Sequence, residues 1–572
     1  MGSEMCIRDR THMLPDEPTA LGLLARRMGI AGSPRVAARR FLALHRRITS
    51  GVHAAFRDFF AAPPAAARPA VRIPSYTSLK DTGFAEPDRA RENLRLVVEG
   101  RPLIPYPDAA QRALAAMFPV LLDALWQSPD PDQALNQFER FLSATGPRIA
   151  YLELLAAQPE LLTNLVRLCA RGELLTQLLV TQPELLGALA SPATFAARRR
   201  KQDVRHALAA VFAPRLTRAE RKDRLRQIKQ AEELGITWRM LLGVTDAERF
   251  SFEMSALADS TVAVAWLMAV DEMAAELGVP RDASGRLIPA AVIGIGKFGG
   301  RELTTGSDLD LFVVYERAGS TDGASAVEAH VFYDRVVERL SELLGDITAA
   351  GIVFPVDLRL RPGSKGSGFA TSLDAVEQYY LEWADPWERQ TLTRARLVGG
   401  DPRLGRTLRK RLDALVYGPG ALPPDLKEMR GLRDRMEKEL GKESPGRLHV
   451  KFGRGGLVDV EFITQALQML HGRTVPTVRH ANTVLALRAI RAAGLLPPDD
   501  CDEITQHYRF LRRVSAGLRL FGARPQDTLE PAGPIPGRLA KSLDYASRKE
   551  FLEDYRRRTT RVRALYDRVV PR

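Results

Sequence analysis

Residues 292–316 read VIGIGKFGGRELTTGSDLDLFVVYE, and this stretch limits the fold more than any other part of the chain. An apolar strand runs into Gly294-Ile295-Gly296-Lys297-Phe298-Gly299, which has the G-x-G-x-x-G spacing of a dinucleotide-binding turn. Such a turn needs a full helix next, to aim its N-terminus at a pyrophosphate, and an acid roughly 20 residues further on for the ribose. Here Thr304, Thr305, Gly306 and Ser307 are turn formers, and a second β-rich segment starts at once with Asp308. A crossover helix has little room, and the dinucleotide reading fails on its context.

The same residues suit phosphate chemistry through a metal. Alternate side chains of a strand share a face, so Asp308 and Asp310 project together while Leu309 and Leu311 face a core. A further strand is expected over IVFPVDLRLR (352–361), with Asp357, Arg359 and Arg361 on one face and Val356, Leu358 and Leu360 on the other. Three carboxylates make an oxygen-ligand site for hard divalent cations. Two such ions ~3.5–4 Å apart can clamp the attacking and leaving oxygens of an in-line phosphoryl displacement. The Gly299-Gly300 pair would let backbone N–H groups approach a polyphosphate, and Ser307 would add a hydroxyl donor. The bland alternative is a solvated sheet face with ion pairs.

Around this region the chain reads as helical, which gives a mostly α protein with one α/β domain. Residues 1–13, MGSEMCIRDRTHM, fit nothing that follows and read as an artefact or tag; 14–75 read as residual helices ending in a Pro/Ala linker at 61–75. A helical domain is expected over 76–275, the α/β domain over 276–398 and a second helical domain over 399–572. Strands are expected in LIPAAVIGIG and DLDLFVVYE, with an amphipathic helix over 324–346. QPELL occurs at 158–162 and 182–186, and Gln-Pro-Glu suits a helix start. The cationic run 198–226, with Arg198, Arg199, Arg200, Lys201, Arg215 and Arg226 among its members, lacks aromatics for base stacking and reads as a solvated helix face.

Three cysteines, Cys6, Cys169 and Cys501, are too few and too scattered for a disulfide framework or a thiolate metal site. No apolar run approaches the ~20 residues that span a bilayer, so a cytoplasmic protein without a membrane partner is expected. The net charge of +14 admits nucleic acid, an acidic protein or a phosphorylated substrate as partner, and does not choose among them.

The pattern G-G-x(6)-S-D-x-D, followed by an Asp on a later strand, resembles the polymerase-β-type nucleotidyltransferases. The longer stretches GKFGGRELTTGSDLDLFVVYE, VDLRLRPGSKGSGFATSLDAVEQYY, WERQTLTRARLVGGDPRL and KFGRGGLVDVEFITQALQMLHG are similar to the glutamine synthetase adenylyltransferase family, and the resemblance covers nearly all of 75–572. It implies a polymerase-β-like nucleotidyltransferase domain flanked by helical domains, and one of the two homologous halves of such an enzyme. The helical segment before the α/β domain points to the C-terminal, adenylylating half. EQYYLEWADPWERQTL is closer to the deadenylylating half, which leaves phosphorolytic removal of AMP open as the alternative direction.

By the same resemblance Asp308 and Asp310 ligate Mg²⁺, and Asp357 completes the site and orients or deprotonates the acceptor. Gly299, Gly300 and Ser307 hold the triphosphate of ATP, the substrate, with help from Lys297; Arg359 and Arg361 neutralise phosphate or meet the protein substrate. The implied acceptor is a tyrosine of glutamine synthetase, and the nitrogen-signalling protein PII is a second partner that the resemblance opens. An RNA nucleotidyltransferase is the runner-up, but no separate RNA-binding module is visible. Trp387-Glu388 is either an adenine-pocket wall or core, and Asp459 and Glu461 either serve a Gly-rich turn in a site or cap and pack a helix.

Overall fold

The computed structural model describes residues 14, 17–60, 71–101, 104–145, 149–189, 201–213, 216–241, 243–348, 351–363, 368–418, 426–522 and 526–571. The expectations for 1–13, for 61–70 of the linker, and for Arg198, Arg199, Arg200 and Arg215 lie outside the described residues. Two units form, 1–70 and 71–572. In the first, helices Pro18–Arg27 and Pro34–Phe60 bury Leu21, Ala25, Ala37, Ala38 and Phe41 between them.

In the second unit the helices between Tyr76 and Leu241 come first. Pro159 of the first QPELL opens helix Pro159–Arg171, whereas the second copy makes a turn before the short helix Leu185–Leu189. Cys169 and Cys501 are free and buried, and burial pushes their thiols up to about 12 and about 11. The cationic helix Arg218–Leu241 departs from a purely solvated face. Arg226 is fully buried and donates to the carbonyls of Lys222 (2.9 Å), Asp346 (2.8 Å) and Gly351 (3.0 Å). Two of those acceptors lie far downstream, so no local pattern announces them.

Helix α1 (Ala247–Leu277) starts at Asp246, whose carboxylate accepts from the Arg249 N–H at 2.7 Å. It is long and apolar enough to cross a membrane by length and composition, contrary to the sequence expectation. Its apolar residues, among them Met254, Leu257, Val262 and Ala269, are buried in the protein core beneath the sheet. A helix covered on most of its circumference is apolar all round, and that explains the composition.

The sheet is built from β1 (Ala290–Gly294), the one-turn helix α2 (Gly296–Gly299), β2 (Leu309–Tyr315), helix α3 (Ala329–Gly345), β3 (Val356–Asp357), β4 (Ala370–Ser372), helix α4 (Leu373–Glu382), β5 (Arg396–Gly400) and helix α5 (Pro402–Tyr417). The strand order is β3-β2-β1-β5, with β4 also pairing β2. β1 runs antiparallel to β2 and to β5, while β3 and β4 run parallel to β2. Strand alternation sorts the two faces. Val292, Leu309, Leu311 and Val313 pack toward α1 and α3, and Ala291, Ile293, Phe312 and Val314 pack toward α4 and α5.

The expected strand over 352–361 shrinks to Val356–Asp357. The chain turns after Leu358, whose carbonyl accepts from the Arg361 N–H at 3.2 Å. Asp357, Arg359 and Arg361 therefore do not alternate along one strand. The helix expected over 324–346 starts at Ala329, and strand β5 had no counterpart in the sequence reading.

The C-terminal part holds β6 (Leu448–His449), α6 (Leu457–His471), α7 (Thr483–Ala492), α8 (Pro498–Phe521), β7 (Thr528–Leu529) and α9 (Arg548–Val569), with β6 and β7 antiparallel. Its apolar core includes Leu457, Ile463, Leu511, Phe551 and Tyr566.

Candidate active site

The turn after β1 is held by close backbone contacts. Gly296 has φ +56°, and a Cβ there would lie 2.4 Å from Oδ2 of Asp310, so the Asp310 carboxylate rests directly on this glycine. The Ile295 N–H donates to the Asp310 carbonyl at 2.9 Å. At the other end of α2, Arg396 donates to the carbonyls of Gly299 (3.0 Å) and Phe298 (2.9 Å) and grips both carboxylate oxygens of Asp259 on α1 at 2.9 and 2.8 Å.

Gly299 and Gly300 are glycine for packing. A Cβ on Gly299 would fall 2.0 Å from the Arg394 carbonyl, and one on Gly300 would fall 3.1 Å from that of Ala481. Their amides donate to Ile295 O (2.8 Å) and Gly296 O (3.1 Å), closing the turn. The expectation that this pair opens its amides to a polyphosphate is thereby revised. Gly299→Ala should lower unfolding stability by about 1–3 kcal/mol through overpacking, and Gly300→Ala by less; urea denaturation of the two variants checks the order. Ser307 is also engaged: its hydroxyl accepts from the Thr304 N–H (3.0 Å) and shares a hydrogen bond with the Thr304 hydroxyl (3.1 Å).

Asp308 stands exposed just before β2, Asp310 lies within it, and Asp357 sits opposite Asp310 in the parallel register. Burial pushes Asp310 up to about 6, with Asp357 and Asp308 adding to the rise and Lys451 and Lys297 opposing it. Arg359 folds back on Asp357 through Nε (3.0 and 2.9 Å to the two oxygens) and Nη2 (2.5 Å), and holds that carboxyl below its usual range. Arg361 points elsewhere: it donates to the carbonyls of Gly368 and Leu358, both at 3.1 Å, and lies over the Phe369 ring. An open groove runs past Asp308, Asp357, Arg359, Arg361, Glu338 and Phe369.

Does this donor set fit a divalent cation? The three carboxylates offer only oxygen, and two of them raise the third, a repulsion that a hard cation relieves. Among the described residues, no three acidic, histidine or cysteine side chains close into a ready cage. Asp357 has both oxygens on Arg359, whose side chain is 87% exposed and has room to swing away. The residues fit a cation once that ion pair opens.

Lys297 is half-buried, and burial lowers its ammonium to about 7; Lys451, Arg519 and Arg512 add to the fall, and Asp527 opposes it. A lysine whose folded pKa lies below its unfolded value destabilises the fold while charged. That cost is full below pH 7 and fades as pH rises toward ~10.4, where the unfolded chain also loses the proton. Lys297→Met should therefore melt above wild type at pH 6.5, with the gap shrinking at pH 9. Paired thermal melts at the two pH values check this.

Several residues of the site region escaped the sequence reading. Glu302 is 3% exposed and accepts from Arg394 Nη1 (3.0 Å), the Tyr508 hydroxyl (2.9 Å) and the Thr483 N–H (2.7 Å). Burial pushes its pKa up, but Arg394 and Arg512 outweigh that and hold it low. It joins the site turn to α7 and α8. Its partners lie far away in sequence, and no local pattern announces them. Asp459 is fully buried, pairs with Arg433 and accepts from the Gly455 N–H at 2.7 Å, which gives it the capping and packing role. Glu461 lies 3.8 Å from Arg394 in the same buried network. The Trp387 indole N–H donates to Asp385 at 3.2 Å, and Glu388 accepts from the Tyr379 hydroxyl at 2.7 Å.

Residues 162–411, which contain this turn and all three carboxylates, match the family model of glutamate-ammonia ligase adenylyltransferase. Over these residues the chain belongs to the glutamine synthetase adenylyltransferase family. Residues 426–570 match a second model, GlnD PII-uridylyltransferase. Curated relatives named bifunctional glutamine synthetase adenylyltransferase/adenylyl-removing enzyme include those of Streptomyces coelicolor (30% identical, 98% of this chain and 56% of the relative) and Streptomyces avermitilis (31%, 98% and 56%). That of Bordetella pertussis is 34% identical over 56% of this chain and 36% of its own length. The chain thus spans little more than half the length of the first two relatives.

Proposed function

We propose that this chain transfers AMP from ATP to a tyrosine hydroxyl of glutamine synthetase. The observation that carries the reading is the convergence of Asp308, Asp310 and Asp357 beside the α2 turn, within a span matched by the adenylyltransferase family. An antiparallel strand pair joined through a one-turn helix, with two carboxylates at the start of the second strand, supports a polymerase-β-like nucleotidyltransferase domain.

Asp308, Asp310 and Asp357 would hold Mg²⁺, which polarises phosphoryl oxygens and neutralises charge in such transfers. Lys297 faces the phosphates. Once Arg359 has swung away, Asp357 accepts a hydrogen bond from the acceptor hydroxyl and orients it. The tyrosyl oxygen bonds to the α-phosphorus, the bond to pyrophosphate breaks, and the hydroxyl proton leaves through Asp357 to solvent. A tyrosine of pKa ~10 is protonated at neutral pH, so it needs this help. Glutamine synthetase is the proposed partner, and PII, named in the second matched family, is the proposed regulator at the helical domain.

Pyrophosphate release measured with ATP, Mg²⁺ and purified glutamine synthetase tests the reading. Release that requires the synthetase supports it. ADP formed from phosphate and pre-adenylylated synthetase, without pyrophosphate release in the forward assay, reverses the direction. Release supported by RNA alone rejects the protein substrate.

A further inference from the structure

We propose that the cleft between the start of α1, the turn after α2 and helices α7 and α8 binds a small dicarboxylate, held by Arg301, Arg512 and Arg513. Such a ligand is neither nucleotide nor acceptor, so the inference goes beyond the nucleotidyl-transfer reading. The cleft has a volume of about 510 Å³, and none of Asp308, Asp310 and Asp357 lines it.

Five arginines and three acids line the cleft, and the acids are already engaged. The Asp246 carboxylate accepts from the Arg249 N–H at the start of α1, and Glu302 is held by Arg394 at 3.0 Å. Glu248 pairs with Arg509 and lies 3.8 Å from Arg488. Among the described residues, Arg301, Arg512 and Arg513 form no ion pair. Three guanidinium charges thus line one cleft without a counter-charge.

Arg512 makes the strongest demand. It is 7% exposed, and its Nη2 donates to the Ser251 hydroxyl and to the Glu302 carbonyl, both at 2.7 Å. Both acceptors are neutral, and among the described residues nothing accepts from its Nε or Nη1. A buried cation is costly until an anion meets it. Arg301 adds a second sign. Its backbone is left-handed, with φ +56°, where a residue that carries a Cβ is strained. Glycine takes that conformation freely; what arginine adds there is a guanidinium in the wall of the cleft.

The wall selects the ligand. Guanidinium forks take carboxylates in a bidentate grip, and three uncompensated cations call for more than one negative charge. The cations come from two separate elements, Arg301 from the turn after α2 and Arg512 and Arg513 from α8, while Phe252 and Val484 supply apolar wall. The volume is that of a site for an organic molecule, and a lone inorganic anion would leave most of it to water. A short carbon chain with a carboxylate at each end meets all of these features. The ligand would also bear on the α2 turn, because Asn482 in the same wall donates to the Gly300 carbonyl at 3.0 Å.

The test is titration calorimetry of the full chain with succinate and with glutarate, for wild type, Arg301→Gly and Arg512→Gln, with acetate and inorganic phosphate as control anions. Arg301→Gly keeps the fold, since glycine adopts the left-handed backbone without strain, so the test stands even where Arg512→Gln fails to fold. Wild type should bind at least one dicarboxylate more tightly than either control anion. Loss of one charge-assisted contact should weaken that binding about tenfold or more in each variant. ATP binding should be the same in wild type and Arg301→Gly. No dicarboxylate binding by wild type, equal affinity in Arg301→Gly, or phosphate bound as tightly as the dicarboxylate overturns the inference and leaves the nucleotidyl-transfer reading standing. ATP binding lost in Arg301→Gly overturns it too, by placing the cleft within the nucleotide site.

Discussion

Exchanging Asp308 and Asp310 together for Asn is expected to cut AMP transfer by about a thousandfold or more while leaving the protein folded. Asn keeps the size of the side chain and removes the charge that would hold a metal, and metal polarisation contributes several kcal/mol to such a transition state. Asp308 is exposed and makes no demand on packing. Asp310 has its pKa raised to about 6 by burial and by two neighbouring carboxylates. Sign and window follow from that. A raised carboxylate costs stability once the pH exceeds its unfolded value of ~3.9, and the cost reaches its full size above pH 6. At pH 7.5 the variant should therefore melt at or above the wild-type temperature. Lost transfer with a retained or raised melting point assigns the defect to chemistry, whereas a lower melting point would make it a folding defect.

The second large effect is expected at Glu302, which never touches the groove. Glu302→Ala leaves Arg394, 5% exposed, without the carboxylate that it grips at 3.0 Å, and leaves the Tyr508 hydroxyl and the Thr483 N–H short of an acceptor. Removing one partner of a buried ion pair costs about 3–5 kcal/mol, because the other charge stays buried. Glu302→Gln keeps the shape and an acceptor oxygen, so it should cost less. Urea unfolding of the two variants gives the comparison. A Glu302→Ala loss under ~1 kcal/mol would mean that solvent reaches Arg394 and that the joint between site turn and α7/α8 is loose.

What the residues revealed in advance follows from how local each signal is. Strand alternation is a two-residue pattern, so Leu309 and Leu311 could be placed in the core, and Asp308 and Asp310 opposite them, from sequence alone. The failure of the dinucleotide turn was legible for the same reason: β2 follows a one-turn helix at a distance too short for a crossover. The strand through 352–361 misled because an alternating Asp-x-Arg-x-Arg pattern also fits a turn in which Arg359 folds back on Asp357. Gly299 and Gly300 resembled phosphate-approach glycines, but what crowds them is the carbonyls of Arg394 and Ala481, more than ninety residues downstream. Glu302 and Arg396 were missed on the same ground. Each acts through partners on another element, and composition and period carry no record of long-range pairing. The long apolar helix Ala247–Leu277 shows the converse, since burial on most sides gives a core helix the composition of a membrane span.

Peptide mass spectrometry of glutamine synthetase, after incubation with ATP, Mg²⁺ and this chain, tests the central claim most directly. The account predicts an adenylyl group on a tyrosine side chain of the synthetase, present with wild type and absent with the Asp308→Asn/Asp310→Asn variant. Unmodified synthetase after incubation with a wild-type chain that binds ATP, or a modification that persists with the double variant, would contradict it.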